Sequence, residues 1–254
     1  MLEIAKEAAI KAGKLLEEYF GKRHTFKRKK TVGDFSTEAE KASEDLILKI
    51  LRKKFPNHNI LSEEAGKLGS GSGYWWVIDP LDGTIPFTSG LPLFGVSIGL
   101  LKNNEPILGV VNVPKLNLLY WAEMGKGAYL NNERIEVNKT RNLADTLISF
   151  EWGYIPDRKE RIEKILSPLS GKVRYMPNLA CAVVAMTYVA SGVLEAYIHN
   201  AHPWDFAAGA CIIKEAGGKV TDWKGKELNW FEDRLAVIAS NGLIHNEIIS
   251  AIKP

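Results

Sequence analysis

The run Trp75-Trp76-Val77-Ile78-Asp79-Pro80-Leu81-Asp82-Gly83-Thr84 sets two carboxylates three residues apart at the end of an apolar, β-branched and aromatic segment. A buried strand delivers Asp79 to its carboxyl end, and a turn fixed by Pro80 and Gly83 brings Asp82 back beside it. Two acids held that close repel unless a cation lies between them, so the pattern asks for a metal. The same residues also suit an Asx-type turn in which both acids only accept from backbone amides. Other acids bear on the choice. Glu63 and Glu64 follow a short strand, Asn59-Ile60-Leu61, so one of them points where Asp79 points. Asp205 stands in His202-Pro203-Trp204-Asp205 at the opening of an Ala-rich helix, where a carboxylate also serves the helix dipole. Asp34 precedes a helix, and Glu40 sits in Thr37-Glu38-Ala39-Glu40, which is also a good capping box.

The elements that position these acids follow from apolar spacing. Ile4, Ala8, Ala12, Leu15 and Tyr19 share one face of a helix over 2–20, stopped by Gly21. The basic stretch from Lys22 to Gly33 reads as a loop or mobile arm. A second helix runs over 37–55 and is closed by Pro56. Strands are predicted near 59–62 and 74–79, a short helix near 84–90, and antiparallel strands at 93–101, 105–113, 118–124 and 128–137. Asn103-Asn104 and Asn131-Asn132 supply turn chemistry. Beyond about residue 140 the pattern is strand 146–151, helix 158–167, strand 172–175, helix 178–191, strand 193–198, helix 204–216, strands 218–222 and 235–240, and helix 242–252. An antiparallel first half (1–140) and a more α/β second half (141–254), with no linker between them, form a single unit over 1–254.

Composition narrows the class. Hydrophobic residues at 46% and charged residues at 25% are those of an ordinary soluble protein, and a net charge of +3 does not imply nucleic acid. The N-terminal residues are amphipathic and charged, unlike an apolar leader, and no apolar run approaches the roughly 18 residues of a membrane span. Cys181 and Cys211 lie in apolar helical patterns and read as core thiols in a reduced, cytoplasmic setting. The absence of glutamine leans towards a heat-adapted source.

Taken together, Asp34 with Thr37-x-x-Glu40, Glu63-Glu64, Asp79-Pro80-Leu81-Asp82-Gly83-Thr84-x-x-Phe87, Gly127-Ala128-Tyr129-Leu130-Asn131 and Trp204-Asp205-x-Ala207-Ala208-Gly209 leading to Glu215-Ala216-Gly217-Gly218 cover the whole chain. In this order they resemble the inositol monophosphatase and fructose-1,6-bisphosphatase superfamily, in the pattern of its short archaeal dual-activity members. The resemblance implies an α/β (α+β) fold, a layered αβαβα sandwich of the sugar phosphatase type. It implies Mg²⁺-dependent, lithium-sensitive hydrolysis of sugar and polyol phosphates, with Mn²⁺ able to substitute. Glu63, Asp79 and the Leu81 carbonyl would hold one ion, Asp79, Asp82 and Asp205 a second, and Asp34 would help recruit a third. Thr84 and Glu40 would orient the attacking water, and the Gly83 and Thr84 amides would face the phosphate. Ala182 would touch the sugar, and Arg174 would meet the second phosphate of a bisphosphate or serve as a surface arginine. A homodimer is expected, since relatives are commonly dimers.

Four departures stand out, the last two of them at the sugar end. Glu40 stands where many relatives carry aspartate, and Pro86 where asparagine is frequent. His199 and Asn200 replace an acidic residue that animal inositol phosphatases set before Trp-Asp, and Tyr154 follows Glu151-x-Gly153 in place of a small hydroxyl residue. Two alternatives share the fold: a nucleotide 3′-phosphatase acting on phosphoadenosine compounds, and a regulatory module binding RNA polymerase or RNA. The basic run Lys22 to Lys30 fits the latter, but equally fits a solvated charge run or steering of anionic substrates.

Overall fold

The computed structural model of the chain describes residues 1–22, 26–28, 35–69, 71–153 and 158–252. Asp34 and Tyr154 lie outside the described residues.

The first half begins with α1 (Leu2–Tyr19), which buries Ala5, Ala8, Ala9, Ala12 and Leu16 along one face. Part of the segment expected as a loop or arm is an antiparallel pair, β1 (Phe26–Arg28) with β2 (Phe35–Thr37). Helix α2 (Glu38–Lys54) opens on the capping box read from the sequence: Glu40 N–H donates to Thr37 Oγ1, and Thr37 N–H donates to Glu40 Oε2. Then come β3 (Asn59–Ser62), an unexpected β4 (Gly66–Leu68), β5 (Tyr74–Asp82) and the five-residue α3 (Thr84–Thr88). The strands β6 (Gly95–Lys102), β7 (Glu105–Val113) and β8 (Leu118–Glu123) follow as expected. The strand expected over 128–137 is two, β9 (Ala128–Leu130) and β10 (Glu133–Ile135), because Asn131 takes a left-handed φ of 53° and turns the chain back. These strands form one sheet in the order β10-β9-β8-β7-β6-β5-β3-β4, in which only β3 and β5 pair in parallel.

The second half contributes a four-stranded sheet. It comprises β11 (Ile148–Phe150), β12 (Ala196–Ala201), β13 (Lys219–Asp222) and β14 (Leu235–Ser240), in the order β11-β12-β14-β13. Only β11 and β12 are parallel; strand–helix alternation does not produce a parallel sheet here. The strand expected at 172–175 is a single bridge between Leu147 and Tyr175. Helical turns run from α4 (Arg158–Arg161) through a π segment, Ile162–Leu166, into α5 (Ser167–Ser170). The helix expected from 178 starts later, as α6 (Ala182–Ala190), because Asn178 Oδ1 accepts from Ala180 N–H and Ala180 takes a left-handed φ of 53°. Two more helices, α7 (Pro203–Glu215) and α8 (His245–Ala251), complete the chain.

Strand alternation builds five layers from these parts. One face of the large sheet (Ile60, Trp76, Ile78, Ile98, Val110) packs on α1 and α2. The other (Leu61, Val77, Leu101, Val111) packs on α6 and α7, whose far side meets Tyr197, Val237 and Ala239 of the small sheet. Ile148, Ile198 and Ile238 on that sheet's outer face meet Ile165, Leu169 and Ile248. The result is the expected αβαβα sandwich. A Cβ on Gly109 of β7 would lie 2.2 Å from the Ala208 carbonyl oxygen of α7. This close approach seats the helix that carries Asp205 directly on the large sheet. No helix among the described residues is long and apolar enough to cross a membrane.

Candidate metal centre

Strand β5 does not end at Asp79, as the sequence suggested, but continues through Asp82 with a bulge. Asp79 pairs with Ser97 and Asp82 with Gly95, so three steps along β5 match two along β6. Residues three apart on a regular strand point to opposite faces; the single extra residue cancels that and puts both carboxylates on one face. Local bonds fix the bulge. Leu81 N–H donates to Asp79 Oδ1 at 3.0 Å, and Gly83 N–H donates to Asp82 Oδ1 at 2.7 Å. From α2, Ser43 Oγ donates to the Pro80 carbonyl at 2.7 Å. Gly83 has a φ of +81°, and a Cβ there would stand 2.6 Å from the Leu93 carbonyl oxygen, so only glycine fits. The Asx-type turn and the acid cluster therefore coexist.

Asp205 arrives from the other half at the first turn of α7, where His202 N–H donates to its Oδ2 at 2.7 Å. Asp79, Asp82 and Asp205 offer oxygens that all lie within 4.8 Å of one another, and Glu40, Glu63 and Glu64 do the same in a second group. The groups are electrically joined. Burial pushes Asp79 well above the ordinary carboxylate range, followed by the charges of Glu63, Asp82, Asp205 and Glu40. Asp205 is likewise pushed well up by burial and then by Asp82 and Glu63. Asp82 rises to about 6 through burial, held back by the bonds it accepts from Val183, Cys181 and Gly83. Like charges gathered in this way are a standing cost that a cation would remove.

Several contributors carried no functional reading in the sequence. Glu44, one helical turn beyond Glu40 and 1% exposed, accepts through Oε1 from Ser62 Oγ, from Glu64 N–H at 3.2 Å and from Ala65 N–H at 2.9 Å. It thereby fixes the Glu63-Glu64 loop; its spacing of four from Glu40 was the available signal. Cys181, read as a core thiol, is buried but donates from Sγ to Asp82 Oδ2 at 3.3 Å. The same oxygen accepts from Val183 N–H at 2.6 Å, a backbone contact that no sequence motif announces. Ala182 is the first residue of α6, between these two.

Thr84 Oγ1 donates to the Leu81 carbonyl at 3.3 Å. The exposed Arg174 precedes the Leu147–Tyr175 bridge, at the start of β11, whereas the end facing Asp82 carries Glu151. His199 and Asn200 are tied to arginines: His199 Nδ1 meets Arg161 Nη1 at 2.8 Å, and the Asn200 backbone carbonyl accepts from both Arg161 and Arg234. Burial and the two arginines hold His199 well below the usual histidine range, leaving it neutral. Arg234 also binds Asn200 Oδ1 through Nε at 3.0 Å, and its charge acts on Asp205.

The whole chain, residues 1–254, matches the inositol monophosphatase family. A fructose-1,6-bisphosphatase/inositol-1-monophosphatase of Thermotoga maritima is 38% identical over 258 residues, covering 99% of this chain and 95% of that protein. The Nus factor SuhB of Pasteurella multocida is 35% identical, covering 100% and 96%. Among solved structures, a Thermotoga maritima IMPase superposes with a TM-score of 0.88 at 36% identity, over 98% of this chain and 95% of that one. The SuhB protein of Bartonella henselae does so at 0.92 and 30% identity, over 99% and 97%. Fold, acid clusters and sequence thus agree, and the chain belongs to the inositol monophosphatase family, a family of phosphatases.

Proposed function

We propose that this protein is a Mg²⁺-dependent phosphomonoesterase of sugars and polyols that hydrolyses inositol 1-phosphate and fructose 1,6-bisphosphate. The observation that carries the reading is the convergence of Asp79, Asp82 and Asp205 to within 4.8 Å. The donor set fits a hard cation: both acid groups are all carboxylate, with neither histidine nor thiolate among their members. Asp79, Asp82 and Asp205 would hold one ion, and Glu63 with Asp79 and the Leu81 carbonyl a second. Bound there, Mg²⁺ supplies positive charge against the phosphoryl oxygens and makes a neighbouring water more acidic.

The chain's own groups do the rest. Gly83 N–H is committed to Asp82, which leaves the Thr84 amide as the donor we assign to the phosphate. We assign Glu40 as the acceptor of the water's proton, with the Thr84 hydroxyl orienting that water. This role requires Thr84 Oγ1 to leave the Leu81 carbonyl on which it rests. For a bisphosphate, Arg234 is better placed than Arg174: two bonds to Asn200 fix its guanidinium on the Asp205 side of the site.

Turnover of inositol 1-phosphate, fructose 1,6-bisphosphate and phosphoadenosine phosphate, measured side by side, tests this. The expected result is Mg²⁺-dependent phosphate release from the first two; release confined to the third would establish the nucleotide phosphatase instead. The SuhB relatives favour one second reading, a transcription-related binding module. The Asp79→Asn and Asp205→Asn proteins separate the two, because an enzyme loses phosphate release while folding normally and a module keeps its partner. Lithium competition against Mg²⁺ and sedimentation velocity test the inhibition and the homodimer that the family resemblance carries with it.

A further inference from the structure

Among the described residues six buried side-chain polar atoms have no hydrogen-bond partner, and three of them, Ser149 Oγ, Tyr197 Oη and Glu151 Oε1, lie on or beside the small sheet. They belong together. Ser149 and Tyr197 are direct partners across the parallel β11–β12 pair, so their side chains leave the small sheet on the same face. That face meets α6 and α7, since Tyr197 packs with Val237, Ala239, Cys181 and Phe206. Glu151 lies two residues beyond Ser149 and turns to the same side, where its Oε2 accepts from Asn178 Nδ2 at 3.3 Å just ahead of α6. Among the charged groups around Tyr197, Glu151 acts on its hydroxyl most strongly, ahead of Asp82 and Asp205.

Buried hydroxyl and carboxyl oxygens are almost always paired, with protein or with ordered water. Two hydroxyls and one carboxyl oxygen match the needs of a single water, which can accept from two of these groups and donate to the third. The consequence reaches the metal centre. Glu151 holds Asn178, which also donates to the Phe150 carbonyl at 3.0 Å and shapes the turn through Ala180. That turn delivers Cys181 Sγ and Val183 N–H to Asp82 Oδ2. We propose that Ser149, Tyr197 and Glu151 enclose a structural water, and that this water locks Glu151 as a positioning residue for Asp82.

The test combines a high-resolution crystal structure of the full chain with Tyr197→Phe and Ser149→Ala variants. The expected density is one water within hydrogen-bond distance of all three oxygens. Both variants are expected to melt below the parent, because each leaves the water and its other partners short of a bond. Calorimetric titration is expected to show Mg²⁺ binding severalfold more weakly to Tyr197→Phe, with kcat at saturating Mg²⁺ close to that of the parent. Absence of density, or variants that melt higher, would overturn the water site, since removing a dry, unpaired hydroxyl stabilises a fold. Unchanged Mg²⁺ affinity would overturn the positioning role. Density and melting do not depend on the phosphatase reading, so they separate its failure from failure of this inference.

Discussion

Asp82 Oδ2 accepts the Val183 N–H at 2.6 Å, so an acid of the first half caps a helix of the second. The N-cap of α6, Cys181, supplies no side-chain cap of its own, and Asp82 does that work from 101 residues away. One carboxylate thus belongs to the acid cluster and to the packing of the two halves.

Two substitutions separate these roles. Asp82→Asn keeps an acceptor for Val183 but loses the charge and sets its amide NH2 against the Gly83 N–H, so phosphate release should fall by about 10²–10³-fold with a modest loss in melting temperature. Asp82→Ala removes the cap too and should cost a further ~1 kcal/mol of stability in denaturant titrations. Equal stability of the two variants would show that the cap contributes nothing.

Glu44 governs a different part of the site. Glu44→Gln leaves an acceptor for the Glu64 and Ala65 amides but alters the field around Glu63; apparent Mg²⁺ affinity should drop by about 10-fold. Glu44→Ala, which orphans buried donors, should destabilise by ~1–3 kcal/mol as well. Metal titration and thermal melting of both proteins check this.

The acids also set a pH signature. Burial holds Asp82 at about 6 and, with the Asp82 charge, Glu151 at about 8. In EDTA the native state keeps protons that the unfolded chain has released. The acids' contribution to stability should therefore be greatest in the ordinary carboxylate range and fall as pH rises through about 6 and on to about 8, while the buried neutral His199 acts in the opposite sense on the acid side. Mg²⁺ binds the ionised carboxylates, so its stabilisation should grow over the same window, reaching ~2.7 kcal/mol at a hundred times its Kd. Melting curves with EDTA and with Mg²⁺ across this range should diverge as pH rises; parallel curves would tell against the metal centre.

Arg234 offers a test of substrate choice. Arg234→Gln should raise KM for fructose 1,6-bisphosphate by about tenfold, the loss of one charged hydrogen bond, and change inositol 1-phosphate turnover less, through the field at Asp205 alone. Steady-state kinetics on the two substrates decides it, and an equal effect on both would remove Arg234 from the distal phosphate.

How much of this was legible before the structure depended on whether a feature is written locally. Asp79 and Asp82 stood out because an apolar run stops at them, and Asp205 because Trp-Asp opens a helix. The bulge that aligns the first two was not legible, since it exists only in register with Ser97 and Gly95 on another strand. The Thr37–Glu40 capping box was read correctly because both partners lie within one turn. Cys181 is the core thiol the sequence suggested, but its bond to Asp82 was not legible, because its apolar neighbours line the core and the partner lies 99 residues away. The late start of α6 was missed for a similar reason: apolar spacing continues through 178–181, and only the Asn178 side chain and the Ala180 backbone interrupt it.

Anomalous scattering from manganese-soaked crystals probes the central claim most directly. The expected result is a peak touching the carboxylates of Asp79, Asp82 and Asp205 together. A map with no peak there, at Mn²⁺ concentrations that support turnover, would contradict it.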